Sequence, residues 1–140
     1  MSKTTLKFPD AIIEVTPIEN LIYVRITGIY TDEVMLAMLA HIEPLIDALP
    51  SAHIRVMDAS RVPAGSFRLS TQGTEQAIAW GLKVHARKPG SRSFLIGTTP
   101  VSYGMGRMYA MRSDLEAKGV EVLRSLDELP PEVRKLLPSD

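Results

Sequence analysis

Two short runs rich in β-branched residues, 11–16 and 21–27, flank Pro17-Ile18-Glu19-Asn20, a segment with turn chemistry. In the second run Ile22, Val24 and Ile26 alternate with Tyr23, Arg25 and Thr27, the period of a strand with one face on a core. The pair predicts a β-hairpin ended by Gly28. From Thr31 the period lengthens: Met35, Met38, Leu39, Ile42, Leu45, Ile46 and Leu49 recur at spacings of three and four, which predicts an amphipathic helix. Thr31 supplies its cap, and Asp32 and Glu33 place negative charge at the positive end of its dipole. Pro44 falls inside the pattern, where a kink or break is expected, and Pro50 closes the element.

Residues 53–58 read as a strand of nearly continuous apolar character, followed by a loop over 61–66. A helix is expected over about 74–87, with Ala77, Ile78, Gly81, Leu82 and Val84 inward and Trp80 covering an edge; Lys88-Pro89-Gly90 stops it. Residues 93–97 form the next strand. Thr99-Pro100 signals a new helix whose stripe is Val101, Met105, Met108, Met111 and Leu115, with Gly119 just past its end. A short strand over 120–123 follows, then a Ser125/Glu128 capping box and a break or restart at Pro130-Pro131. The order predicts an α/β fold: a mixed four- to five-stranded sheet, N-terminal hairpin first and later strands parallel, packed with about four helices. The ordered core is expected over about residues 10–137 of a single domain, 1–140.

Composition narrows the partners more than the fold. Lys and Arg total 16 and Asp and Glu total 16, so no net field draws the chain to nucleic acid or an anionic membrane. The chain has no cysteine, which removes disulfides and thiolate chemistry, and no apolar run approaches the roughly 20 residues that span a bilayer. Its polar opening, Ser2-Lys3-Thr4-Thr5, adds to the expectation of a cytoplasmic protein without a membrane span.

Four stretches carry a resemblance. They are Val24-Arg25-Ile26-Thr27-Gly28 with Thr31 opening a helix, Val56-Met57-Asp58-Ala59-Ser60, Tyr103-Gly104-Met105-Gly106-Arg107-Met108-Tyr109, and residues 122–129. In this order they resemble the STAS domains of sulfate transporters and anti-sigma-factor antagonists, and more closely the SpoIIAA-like subgroup. The resemblance covers roughly residues 10–130 and implies a non-enzymatic protein-interaction or regulatory module. Members that act as phosphoswitches carry an Asp-Ser-Ser-Gly-like motif after the Asp-bearing strand. Here the comparable loop reads Ala64-Gly65-Ser66-Phe67, without the preceding acid or the following glycine, so Ser66 and Ser60 stand as candidate phosphosites only. A more distant similarity to lipid-carrying CRAL-TRIO domains implies an apolar pocket.

Candidate chemistry is sparse. Asp58, Ser60, Thr98 and Thr99 fall at the carboxyl ends of predicted parallel strands, where open α/β sheets hold ligands; the same residues also suit plain loop bonding and capping. Tyr103, Arg107 and Tyr109 would edge a pocket or a dimer face. Met105, Met108 and Met111 suit either an adaptable groove or a core, and Gly104 and Gly106 suit close helix packing. Lys83, His85, Arg87, Lys88 and Arg92 form a basic run at a helix end, fit for an acidic partner or for dipole complementation. His41, His53 and His85 lack metal-ligand spacing, and no Gly-x-Ser-x-Gly elbow or other catalytic set is present. The expectation is therefore no enzyme, no metal and no cofactor. It is instead a protein partner or homodimer, or alternatively a small carrier or sensor of an apolar or anionic metabolite, bound at the strand carboxyl ends.

Overall fold

The hairpin pattern is the seed of a larger sheet in the computed structural model, which describes residues 3–138 apart from the Ser113 side chain. Met1, Ser2, Ser139 and Asp140 lie outside the described residues. β2 (Ala11–Ile18) and β3 (Leu21–Gly28) pair antiparallel around a two-residue turn, with Glu19 at φ 53°. The expected turn is thus shorter than Pro17–Asn20, because Pro17 and Ile18 stay in the ladder. Ahead of them β1 (Thr4–Phe8) adds an antiparallel edge strand, so the ordered core starts before residue 10. Its Thr-Thr-Leu-Lys-Phe segment is largely exposed and has too little apolar periodicity to mark it in the sequence.

β5 (Ile54–Arg61), β7 (Arg92–Ile96) and β8 (Val120–Leu123) continue the sheet in parallel, giving the order β1-β2-β3-β5-β7-β8. The sheet is mixed as expected, with six strands instead of four or five. Parallel neighbours need crossovers. These are α1 (Asp32–Asp47), α2 (Thr71–Arg87) and α3 (Pro100–Met111), with a short α4 (Pro131–Arg134) near the end. A two-residue ladder, β4 (Tyr30–Thr31) with β6 (Phe67–Arg68), ties the entry of α1 to the loop before α2.

Local chemistry explains the helix ends. Thr31 caps α1, and α2 starts at Thr71 because Ser70, not a later residue, accepts from the Gly73 N–H at 2.9 Å. Asp32 reaches across to accept from Ser70, both from its N–H at 2.9 Å and from its hydroxyl. A Cβ at Gly73 would meet the Asp32 carboxylate, so a larger residue there would push Asp32 off Ser70. Pro44 does not break α1. Pro44 and Ala40, whose carbonyl loses its partner, both face solvent, while Ile42 and Ile46 hold the buried side. α3 departs from its expected stripe: Val101, Met108 and Met111 are exposed, Met111 by 65%, and Ser102 and Ala110 are buried instead. Gly106 lets the helix approach Val122 of β8, whereas the space beside Gly104 is open.

The sheet is covered unequally. α1, α2 and α3 lie over one face, packing on Ile13, Val15, Val24, Ile26 and Val122 among others. On the opposite face the C-terminal segment covers the centre: Leu129 and Val133 pack on Leu21, Tyr23, Val56, Phe94 and Ile96. Among the described residues no helix is long and apolar enough to cross a membrane. Leu129 is buried in that second layer, so Leu129→Ala should cost about 2–5 kcal/mol in urea unfolding, whereas exposed Met111→Gln should move stability by less than about 0.5 kcal/mol.

Candidate functional site

Strand alternation divides β5 between two environments. Ile54, Val56 and Asp58 point to the face under the C-terminal segment, and Arg55, Met57 and Ala59 point toward the helices. Asp58, 1% exposed, is consumed by internal bonds: its Oδ2 accepts from the Tyr23 hydroxyl at 2.5 Å and its Oδ1 from the Ser60 N–H at 2.9 Å. Burial, with the Asp58 bond second, pushes the Tyr23 phenol up to about 12. Arg25 Nε donates to the same hydroxyl at 3.4 Å, and its guanidinium lies 5.5 Å from the Tyr23 ring.

The other expected site residues are dispersed. Thr99 and Ser102 form a reciprocal capping box at the start of α3, and Thr98 beside them is exposed. Tyr103 lies under the Arg124 guanidinium, 3.8 Å from its ring centre. Arg107 pairs with Glu116 at 2.9 Å in a shallow surface recess. Ser66 sits in the β4–β6 connection, where its carbonyl accepts from the Tyr30 N–H at 2.8 Å. Asp58 and Ser60 are bonded to each other, and Thr99 and Tyr103 share one helix turn. The seven residues do not converge on one cavity.

A pocket lies one residue out of phase with Asp58, between the helical face of the sheet and α1, α2 and α3. It holds about 120 Å³ of free space. Met35, Met38 and Leu39 of α1 form one wall, and Ala77 and Trp80 of α2 with Met105 and Tyr109 of α3 form the other. Ile26, Met57, Leu95 and Val122 of the sheet form its floor. Tyr30 and Phe67, with ring centres 5.3 Å apart, stand where the β4–β6 ladder meets it. Two glycines shape this space: Gly97 packs against the backbone of Ser102 and Tyr103, and Gly81 leaves room for the Tyr109 hydroxyl.

Arg55 is the charged group of the lining and is only 2% exposed. Its Nη1 lies 2.9 Å from His53 Nε2 and its Nη2 lies 3.4 Å from His85 Nε2, and its guanidinium stands 5.6 Å from the Trp80 ring centre. A guanidinium only donates, so both Nε2 atoms accept, and both imidazoles are neutral with the proton on Nδ1. His85 Nδ1–H can then donate to Ser91 Oγ at 3.3 Å. Burial first and the Arg55 charge second hold each imidazole down at about 4. Burial also lowers the guanidinium, to about 10, so it stays charged at neutral pH. Tyr109, raised to about 12 by burial, keeps its proton.

Around this centre the basic run has structural roles. Arg87 pairs with Asp47 at 3.0 Å, and Lys88 donates to the Asp47 and Leu49 carbonyls at the end of α1, at 3.2 and 2.6 Å. Trp80 Nε1–H donates to Glu43 at 2.7 Å, which fixes the indole against the pocket. His85, counted with the run in the sequence, turns inward. Arg55 and Trp80 were not anticipated as pocket residues, whereas Tyr109 was expected to edge a pocket or a dimer face and does line the pocket. A signal existed for Arg55: a charge in the middle of an otherwise apolar central strand has to be buried on one face or the other. Comparison of the chain with protein-family models, curated proteins and solved structures finds no match.

Two expectations follow from these bonds. Between pH 6.5 and about 4 the unfolded chain takes up protons on both histidines and the folded chain does not. Stability is therefore full above pH 6.5 and falls on acidification toward 4, by at most about 1.4 kcal/mol per pH unit for each ring; urea titrations at pH 7.5 and 5.5 should show this, with a shallower dependence in His85→Gln. On the other face, Tyr23→Phe should cost roughly 1–3 kcal/mol at neutral pH, because Asp58 loses the Tyr23 hydroxyl as a donor while staying buried.

Proposed function

We propose that this chain is a non-catalytic binding protein, a small carrier or sensor, whose ligand is a compact and mostly apolar molecule held beneath α1, α2 and α3. The observation that carries the reading is the pocket: about 120 Å³ of space walled by aliphatic, aromatic and methionine side chains. Small-molecule sites have this composition, mostly apolar with a few placed polar groups. The free space, about 120 Å³, is somewhat less than the roughly 150 Å³ of an apolar cavity that holds a benzene ring, so the ligand portion enclosed here is a short aliphatic chain, or a single ring for which the flexible methionines move aside. Met35, Met38, Met57 and Met105 give the walls flexible, polarizable groups that conform to different shapes.

The pocket gives this reading more to stand on than the partner-docking module that the STAS resemblance implies. For that module the loop offers Ser66 without the acidic neighbour and following glycine of the switch motif. Toluene is a suitable first probe. At ten times its Kd it should stabilise the fold by about 1.4 kcal/mol, a Tm increase of roughly 3–6 °C for a chain of this size. Methyl NMR should place the shifts on Met38, Met57 and Met105. Ala77→Leu, which adds three carbons to the wall, should abolish the response. If neither toluene nor a panel of comparably sized apolar compounds moves Tm or those methyl signals, the reading is wrong.

A further inference from the structure

The wall of this pocket contains a feature that apolar binding leaves unused. Arg55 is almost wholly buried, yet among the described residues its partners are two neutral imidazoles and an indole face, and no carboxylate pairs with it. Buried guanidinium groups are ordinarily paired, because taking the charge out of water is expensive and only an anion offsets it fully. The acidic residues close by are committed elsewhere: Glu43 accepts from Trp80, and Asp47 accepts from Arg87.

The donor count points the same way. A guanidinium has five N–H groups, and the two histidines engage one on each Nη. The remaining N–H on each Nη and the Nε–H are not taken by any described residue. The Tyr109 hydroxyl, another member of the lining, also makes no hydrogen bond among the described residues. His53 and His85 hold the guanidinium plane from the side of β5 and α2, so its position is set before any ligand arrives.

We infer that the ligand is a small carboxylic acid, its carboxylate paired with Arg55 and its short apolar body lying among the methionines of the pocket. This rests on the pocket being a binding site, and it adds the ligand's chemical class. One guanidinium matches a monoanion in charge and presents two parallel N–H groups that suit the two carboxylate oxygens. A phosphate dianion would bring a charge that the lining does not balance.

The test uses the full chain and isosteric pairs: benzoate against benzamide, and butyrate against butyramide, titrated by calorimetry at pH 7, with toluene and inorganic phosphate alongside. The acids should bind at least tenfold more tightly than the amides. Arg55→Lys should weaken the preference, and Arg55→Met should remove it. Addition of benzoate should also shift the Arg55 Nε–H resonance in the native chain, a readout that stands even if Arg55→Met does not fold. Toluene binding with equal affinity for acid and amide, or with no binding of the acids, overturns the inference and leaves the pocket reading intact. Phosphate binding more tightly than the carboxylates also overturns it. Failure of toluene, the acids and the amides together removes both readings.

Discussion

Everything in this molecule is organised by the two-residue period of β5, which runs between β3 and β7 near the middle of the sheet. Because successive side chains leave a strand on opposite faces, the same eight residues serve two layers at once. Val56 and Asp58 meet Tyr23 and the C-terminal segment, and Arg55, Met57 and Ala59 meet the helices. A slip by one residue would exchange Asp58 for Met57 and destroy both layers. The parallel register, Tyr23 with Val56 and Arg25 with Asp58 on one side and Val56 with Phe94 on the other, holds that phase.

The two layers bury polarity in different ways. On the C-terminal side the carboxyl group of Asp58 has its donors supplied internally, by Tyr23 and Ser60. On the helical side the guanidinium of Arg55 has acceptors from His53 and His85, but among the described residues no opposite charge. The first arrangement is closed and structural. The second faces the free space of the pocket.

The pocket keeps its shape because α1 and α2 are fastened at both ends and in the middle. Asp32 bonds Ser70 at their N-termini, Glu43 bonds Trp80 at mid-length, and Lys88 and Arg87 engage the end of α1. These contacts lie mostly at the surface and contribute modestly to stability individually. Their effect is geometric: they set the separation of two helices whose facing side chains do not fill the space between them.

The sequence by itself determined the order of the main helices and of strands β2, β3, β5, β7 and β8, the mixed α/β class, the caps at Thr31 and Thr99, the Ser125/Glu128 box and the parallel character of the later strands, because these depend on local periodicity and on side chains within a few residues. It left β1 unseen, since a mostly exposed edge strand has no apolar alternation to detect, and it counted the exposed Val101, Met108 and Met111 with the inward Met105 and Leu115, since helical period alone does not tell which positions of a short helix meet the sheet. Only the tertiary structure decided that Asp58 turns away from the helices, and that Arg55, His53 and His85 meet Trp80 and Tyr109 around one cavity. That convergence joins residues from 53 to 109 across three chain crossings. Its physical cause is the strand register together with helix–sheet packing, neither of which any single stretch of sequence encodes.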